Sequence, residues 1–227
     1  MQVALAHMRR AGHLPYDWIV DFTRWQRKPR TFRDVTHALE ETSRFYRKDP
    51  WSDADSYVEI WLEKDALSGV ILPVTSKYDV PLMVARGYAS LSFLSEAANY
   101  IKDEDRPTYI YHLGDFGPSG VDASEKIERT LQQLAPSAEI HFERIAVTPE
   151  QIADWHLPSR PTKQTDSRAK SFGSLSVELD SIDPPMLREI VEGVIDRHLP
   201  QHQYRVLMAA EESERKAIAA FVQGGAP

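Results

Sequence analysis

The feature that most constrains this chain is an alternation that begins near residue 56. Short apolar runs of strand character, "SYVEIWL", "PLMVA", "TYIYHL" and "AEIHFERI", are separated by stretches of helical character, "EKDALSGVILPV", "SLSFLSEAANYIK" and "SGVDASEKIERTLQQLA". That order predicts βαβ units and an α/β fold, a mostly parallel four-stranded sheet flanked by helices. In such sheets ligands gather at the carboxyl ends of the strands. Glu63 follows the first strand and Asp115 follows the third, so both acids fall at that end.

The flanks read differently. In "PYDWIVDFTR" Pro15 is placed as a first-turn residue and predicts a short helix. Thr31 is expected to cap a second helix over "FRDVTHALEETSRFYRK", which Pro50 stops before the linker "DPWSDADS". The boundaries follow: a basic helical segment over 1–50, a main domain over 51–200, and a C-terminal helix and tail over 201–227. Within the main domain, Thr148 and Gln151 have capping-box spacing. Residues 157–175 read as an extended basic loop, and two helices close the chain.

Composition narrows the function classes. With 227 residues the chain has room for one domain and an appendage. It has no cysteine, which excludes a disulfide framework, a thiolate nucleophile and a Cys-based zinc site. No apolar run approaches the ~20 residues of a membrane helix, and the N-terminus lacks the order of a signal peptide, so the expectation is a soluble cytoplasmic protein. Net charge is −7 and uneven: residues 1–50 hold ten Lys/Arg against six Asp/Glu, and the remainder seventeen against twenty-eight. An acidic bulk argues against a protein that coats DNA, and any DNA contact is expected at a local patch. The candidates are Arg9, Arg10, Arg24, Arg27, Lys28 and Arg30, with Arg160, Lys163, Arg168 and Lys170 on the loop.

"YIYHLGDFGPSGVDASEKI" carries the chemistry. Alone, an acid beside a helix start is a cap or a partner of the macrodipole, about 0.3–1 kcal/mol. Two acids from two strand ends are more telling, because converging carboxylates make a site for a hard cation such as Mg²⁺. The neighbouring glycines would let backbone and a substrate phosphate come close. Other motif readings fail. "DFG" lacks the Gly-rich and His-Arg-Asp loops of kinases. Gly114, Gly117 and Gly120 do not have the dinucleotide-binding spacing. His198 and His202 are four apart, but Pro200 breaks the helix a zinc pair would need.

"VEIWLEKDAL", "GDFGPSGVD" and "TPEQIADWHLP", followed by a basic loop and "SVELDSI", resemble the Toprim domain. The likeness is greatest to the A subunit of type IIB topoisomerases (topoisomerase VI), its meiotic double-strand-break relatives, and small related proteins of phages and mobile elements. It covers about residues 56–200. The resemblance implies a Toprim-like fold, DNA as partner, a homodimer, and Mg²⁺ as cofactor with Mn²⁺ as an alternative. Glu63 would take the glutamate role, in metal binding and proton transfer, and Asp115 that of the first aspartate. The second aspartate of the motif falls on Gly117, leaving Asp122 as a substitute ligand one helical turn on. The relatives' winged-helix tyrosine has no match here, since Tyr16 and Tyr46 lie in other contexts. Residues 1–50 would be a remnant of that region, and a partner subunit would supply the tyrosine or an ATPase. The expected function is a Mg²⁺-linked DNA-binding or DNA-cleaving protein with impaired chemistry, if active a metal-dependent nuclease or topoisomerase-like enzyme. The alternatives are a non-catalytic DNA-binding or assembly module on the same scaffold, and a phosphatase-like α/β enzyme with Asp115 as nucleophile.

Overall fold

The computed structural model describes residues 7–8, 10–13, 29–162, 172–173 and 175–224. The helix expected from Pro15 lies outside them. The chain divides into two units, Tyr46–Ala217 and Met1–Phe45 with Ile218–Pro227. In the smaller unit, α1 spans Val35–Phe45. It starts later than Thr31 suggests, because Asp34 takes the capping role: its Oδ1 accepts the His37 amide at 2.7 Å.

The larger unit is α/β, with a four-stranded, all-parallel sheet flanked by helices. Its order along the chain is β1 (Tyr57–Leu62), α2 (Ser68–Tyr78), β2 (Leu82–Val84), α3 (Leu91–Asp103), β3 (Thr108–Leu113), α4 (Pro118–Leu134), β4 (Ile140–Ala146) and α5 (Pro149–Asp154). The short antiparallel pair β5 (Arg160–Pro161) and β6 (Leu175–Ser176) comes next. Two closing helices follow, α6 (Pro184–Asp196) and α7 (Gln201–Gln223), the residues of α7 from Ile218 on belonging to the smaller unit.

Local chemistry sets several of these boundaries. Ser90 caps α3 by accepting the Phe93 amide. The Thr148/Gln151 capping box forms at α5 in both directions. Gly117 and Pro118 open α4 as N-cap and first residue. Pro73 sits inside α2, which nevertheless continues to Tyr78.

Alternation along β1 sorts the core. Val58, Ile60 and Leu62 face one side, with Ile71 and Val74 of α2 and Leu187 and Val191 of α6. Trp61 faces the other, with Leu94 and Ile101 of α3 and Ile127 and Leu131 of α4. Trp61 is fully buried, and removing one large apolar side chain of this kind from water contributes roughly 2–3 kcal/mol.

The strand order is β2-β1-β3-β4. The chain leaves β1 to one side for β2, then crosses back to the other side for β3. The direction of winding therefore reverses between β1 and β3, the place in an open parallel sheet where a crevice forms at the carboxyl ends. Among the described residues no helix is long and apolar enough to cross a membrane.

Candidate functional site

Glu63 and Asp115 straddle that reversal. The Glu63 amide extends the ladder by donating to the Leu113 carbonyl at 2.9 Å. Past β3, the Gly114 amide donates to Ala146 and the Val147 amide to Gly114, so the strand end stays paired up to Asp115. The Asp115 amide then donates to Glu63 Oε2 at 3.0 Å. The two acids are thus brought together by backbone, from adjacent strands.

A second segment docks onto the turn. Phe116 and Val177 form an antiparallel bridge with both amides donating at 2.8 Å. This brings the Leu179 amide to Asp115 Oδ1 at 2.8 Å. It also places Glu178 and Asp180 beside Lys64. The Lys64 ammonium lies 3.6 Å from Asp115 Oδ1 and 3.7 Å from Glu178 Oε2, and it hydrogen-bonds Asp180. Arg160 pairs with Glu178.

Beneath the turn lies Arg144, which the sequence reading did not single out. Its guanidinium donates to the carbonyls of Gly114, Asp115 and Val147 and, at 3.4 Å, of Gly120. Burial pushes this guanidinium below its ordinary range, and the nearby Glu63 and Asp115 carboxylates oppose that shift. Burial also pushes the Glu63 carboxyl up, and the Asp115 charge adds to it. The Asp115 amide, Arg144 and Lys64 work the other way. An acid raised by burial and by a like charge is the signature of a group with chemical capacity, and structural ion networks produce it too.

The glycines have a definite role, and it differs from leaving room for a ligand. A Cβ on Gly114 would lie 2.5 Å from Glu63 Oε2 and 2.6 Å from His112 Cε1. One on Gly120 would lie 2.3 Å from the Asp115 carbonyl oxygen. The space beside Asp115 is filled by the chain's own carboxylate and carbonyl. Gly117 is less constrained: its φ of −166° is ordinary extended backbone, and a Cβ would meet Ser176 Oγ at 3.2 Å.

The remaining predicted residues are distributed as follows. Asp122 lies near the start of α4 and accepts a hydrogen bond from Tyr88. Among the described residues no three His, Asp or Glu side chains are grouped so as to hold a metal ion. Tyr46 donates its hydroxyl to Glu214 at 2.6 Å, and that bond pushes its pKa up. Arg10 and Arg30 are exposed in the smaller unit, Arg30 lying over the Phe45 ring at 4.7 Å. Arg9, Arg24, Arg27, Lys28, Lys163, Arg168, Lys170 and Tyr16 lie outside the described residues. His198 is tied to Ser56 at 2.8 Å and to Tyr111 at 2.7 Å.

The donor set at the reversal is all oxygen, which suits a hard cation. Mg²⁺ is commonly held by one or two carboxylates together with substrate phosphate oxygens. Glu63 and Asp115 each give one oxygen to a backbone amide, and each has another that takes no hydrogen bond from the described residues. The pair therefore fits such an ion, and the third carboxylate of the Toprim pattern is missing from it. The chain matches no known family model and no curated protein sequence.

Proposed function

We propose that this chain is a Toprim-like, Mg²⁺-linked protein acting on DNA phosphodiesters, related to the A subunit of type IIB topoisomerases. The observation that carries the reading is the convergence of Glu63 and Asp115 across the β1/β3 reversal. Those two residues would hold the ion, which when bound neutralises phosphate charge and polarises the phosphorus–oxygen bond. Arg144 fixes the Asp115 turn from below, so the second carboxylate is presented by a rigid backbone. Glu63, whose carboxyl burial and the Asp115 charge push up, is suited to hold a proton more readily than an exposed acid would.

A second reading, a non-catalytic DNA-binding or assembly module, is favoured by a separate observation. Gly117 supplies no ligand, and Lys64 already neutralises Asp115. Plasmid nicking in Mg²⁺ or Mn²⁺ separates the two, comparing the native chain with Glu63→Gln and Gly117→Asp. The extended backbone at 117 admits an aspartate if Ser176 gives by a few tenths of an ångström. Nicking by the native chain that Glu63→Gln abolishes supports the leading reading. A silent native chain that gains nicking in Gly117→Asp supports the second. If all three are silent and none retards DNA on a gel, both readings fall.

A further inference from the structure

The leading reading gives Lys64 no part, although its placement is specific. It immediately follows Glu63, and its ammonium is surrounded by carboxylates from two separate segments. Asp115 comes from the end of β3, and Glu178 and Asp180 come from the stretch after β6. Its side chain is only 26% exposed, so these contacts are shielded more than those of a surface lysine.

The charge balance is the second consideration. Glu63, Asp115, Glu178 and Asp180 are four carboxylates, and Lys64, Arg144 and Arg160 are three fixed cations. Arg144 is committed to backbone carbonyls and Arg160 to Glu178. Lys64 is therefore the cation placed to yield at Asp115, and four carboxylates against three cations leave a net negative charge that draws in a divalent ion. The bond geometry points the same way. Lys64 is hydrogen-bonded to Asp180 but stands 3.6 Å from Asp115 Oδ1, so its hold on the proposed metal ligand is electrostatic and can be surrendered while Asp180 still tethers it.

We propose that Lys64 is the resident counter-cation of this site, and that a divalent ion binds by displacing its ammonium from Asp115. The inference rests on the reading of Glu63 and Asp115 as metal ligands. In the metal-free protein the ammonium prevents Asp115 from facing Glu178 and Asp180 uncompensated. On displacement it stays attached to Asp180, at the rim of the site. Lys64 is thus a positioning residue and sets the ion concentration at which the site fills.

The test is Mn²⁺ binding to the full chain, followed by electron paramagnetic resonance of the free ion. Lys64→Met and Lys64→Gln each remove the competing charge and are expected to tighten binding roughly twofold to fivefold, the size of one ion pair removed from the competition. Lys64→Arg keeps the charge and is expected to bind as the native chain does. Lys77→Met removes a charge that pairs with Glu192, and is expected to bind as native too. A melting measurement supplies the other readout: Lys64→Gln should melt lower than native without metal and recover in Mn²⁺. If the native chain binds Mn²⁺ and both neutral variants bind equally or more weakly, the displacement proposal is wrong and the metal reading stands. If neither the native chain nor any Lys64 variant binds Mn²⁺, and Glu63→Gln changes nothing, both fall together. Equal tightening in Lys77→Met would also overturn the proposal, since net charge alone would then explain the gain.

Discussion

Glu59 and Glu63 lie on the same face of the same strand line, four residues apart, and they have opposite characters. Glu59 is 2% exposed. Trp61 Nε1 donates to its Oε2 at 2.6 Å and the Tyr57 hydroxyl to its Oε1 at 3.2 Å. Burial pushes its pKa up and those two donors oppose the shift, so the group is enclosed by its own strand neighbours. Glu63 has one oxygen on a backbone amide and a second carboxylate close by. Both acids are raised by burial. A like charge bears on each, Glu104 on Glu59 and Asp115 on Glu63; what separates them is that both oxygens of Glu59 are engaged by fixed side chains, whereas Glu63 keeps an oxygen. A shifted pKa alone would not tell the enclosed acid from the candidate site acid; the partners do.

The largest test of this contrast is acid stability. His112 lies beside Trp61 in register, on the same face and between the two acids. Among the described residues its buried Nδ1 has no hydrogen-bond partner, and burial, with Arg144 adding, lowers its pKa to about 3. A histidine depressed in the folded state binds fewer protons there than when unfolded. Its contribution is therefore complete above the unfolded value of about 6.5 and is lost as pH falls from there towards 3. Denaturant melts at several pH values should show His112→Leu losing less stability than native on acidification, by roughly 5 kcal/mol over the full range. Parallel acid slopes would mean that this face tolerates charge and that the contrast with Glu59 is overdrawn.

Next in size is Gly114→Ala. The added methyl would strike Glu63 Oε2 and His112, and overpacking of this kind costs about 1–3 kcal/mol. Gly193, inside α6 with nothing within 4 Å of its Cβ position, should respond in the opposite sense, since Ala is the better helix former by up to about 1 kcal/mol. Equal signs in chemical denaturation would show that the turn at 114 is looser than its distances imply.

The smallest effect is the most direct. Glu59→Gln turns an amide N–H₂ towards a donor and should cost about 1 kcal/mol. Glu63→Gln keeps an acceptor for the Asp115 amide and removes a like charge, so its stability should stay within about 0.5 kcal/mol of native. Equal losses at the two positions would erase the distinction on which the site assignment depends.

Much of the fold was legible because its signal is local. "TYIYHL" coincides with β3, the Thr148 capping box formed as its spacing required, and the four strands and intervening helices appeared in order. The placement of Glu63 and Asp115 followed from strand ends alone. Arg144 was not legible, since an arginine in "HFERI" looks the same whether it points to water or under a distant turn. Neither was the clustering of Asp115, Glu178 and Asp180 around Lys64, which depends on the Phe116–Val177 bridge, a pairing 61 residues apart that no periodicity announces. Thr31 misled for a related reason: Thr31 and Asp34 both have capping side chains, and only the backbone path shows that Asp34 meets the amide.

The strand order has one further consequence, for how copies of this chain behave when crowded together. Short β2 and longer β4 are the sheet's two edges. β2 offers only three residues, too few to template another strand well. β4 offers seven, but it carries His141 and Glu143 exposed on one face, and Glu143 is ion-paired with Arg197. A stranger strand aligning there would have to lie beside polar and ion-paired side chains that hold water. One edge is guarded by brevity and the other by hydration, so parallel stacking of sheets from molecule to molecule is discouraged at both ends of the row.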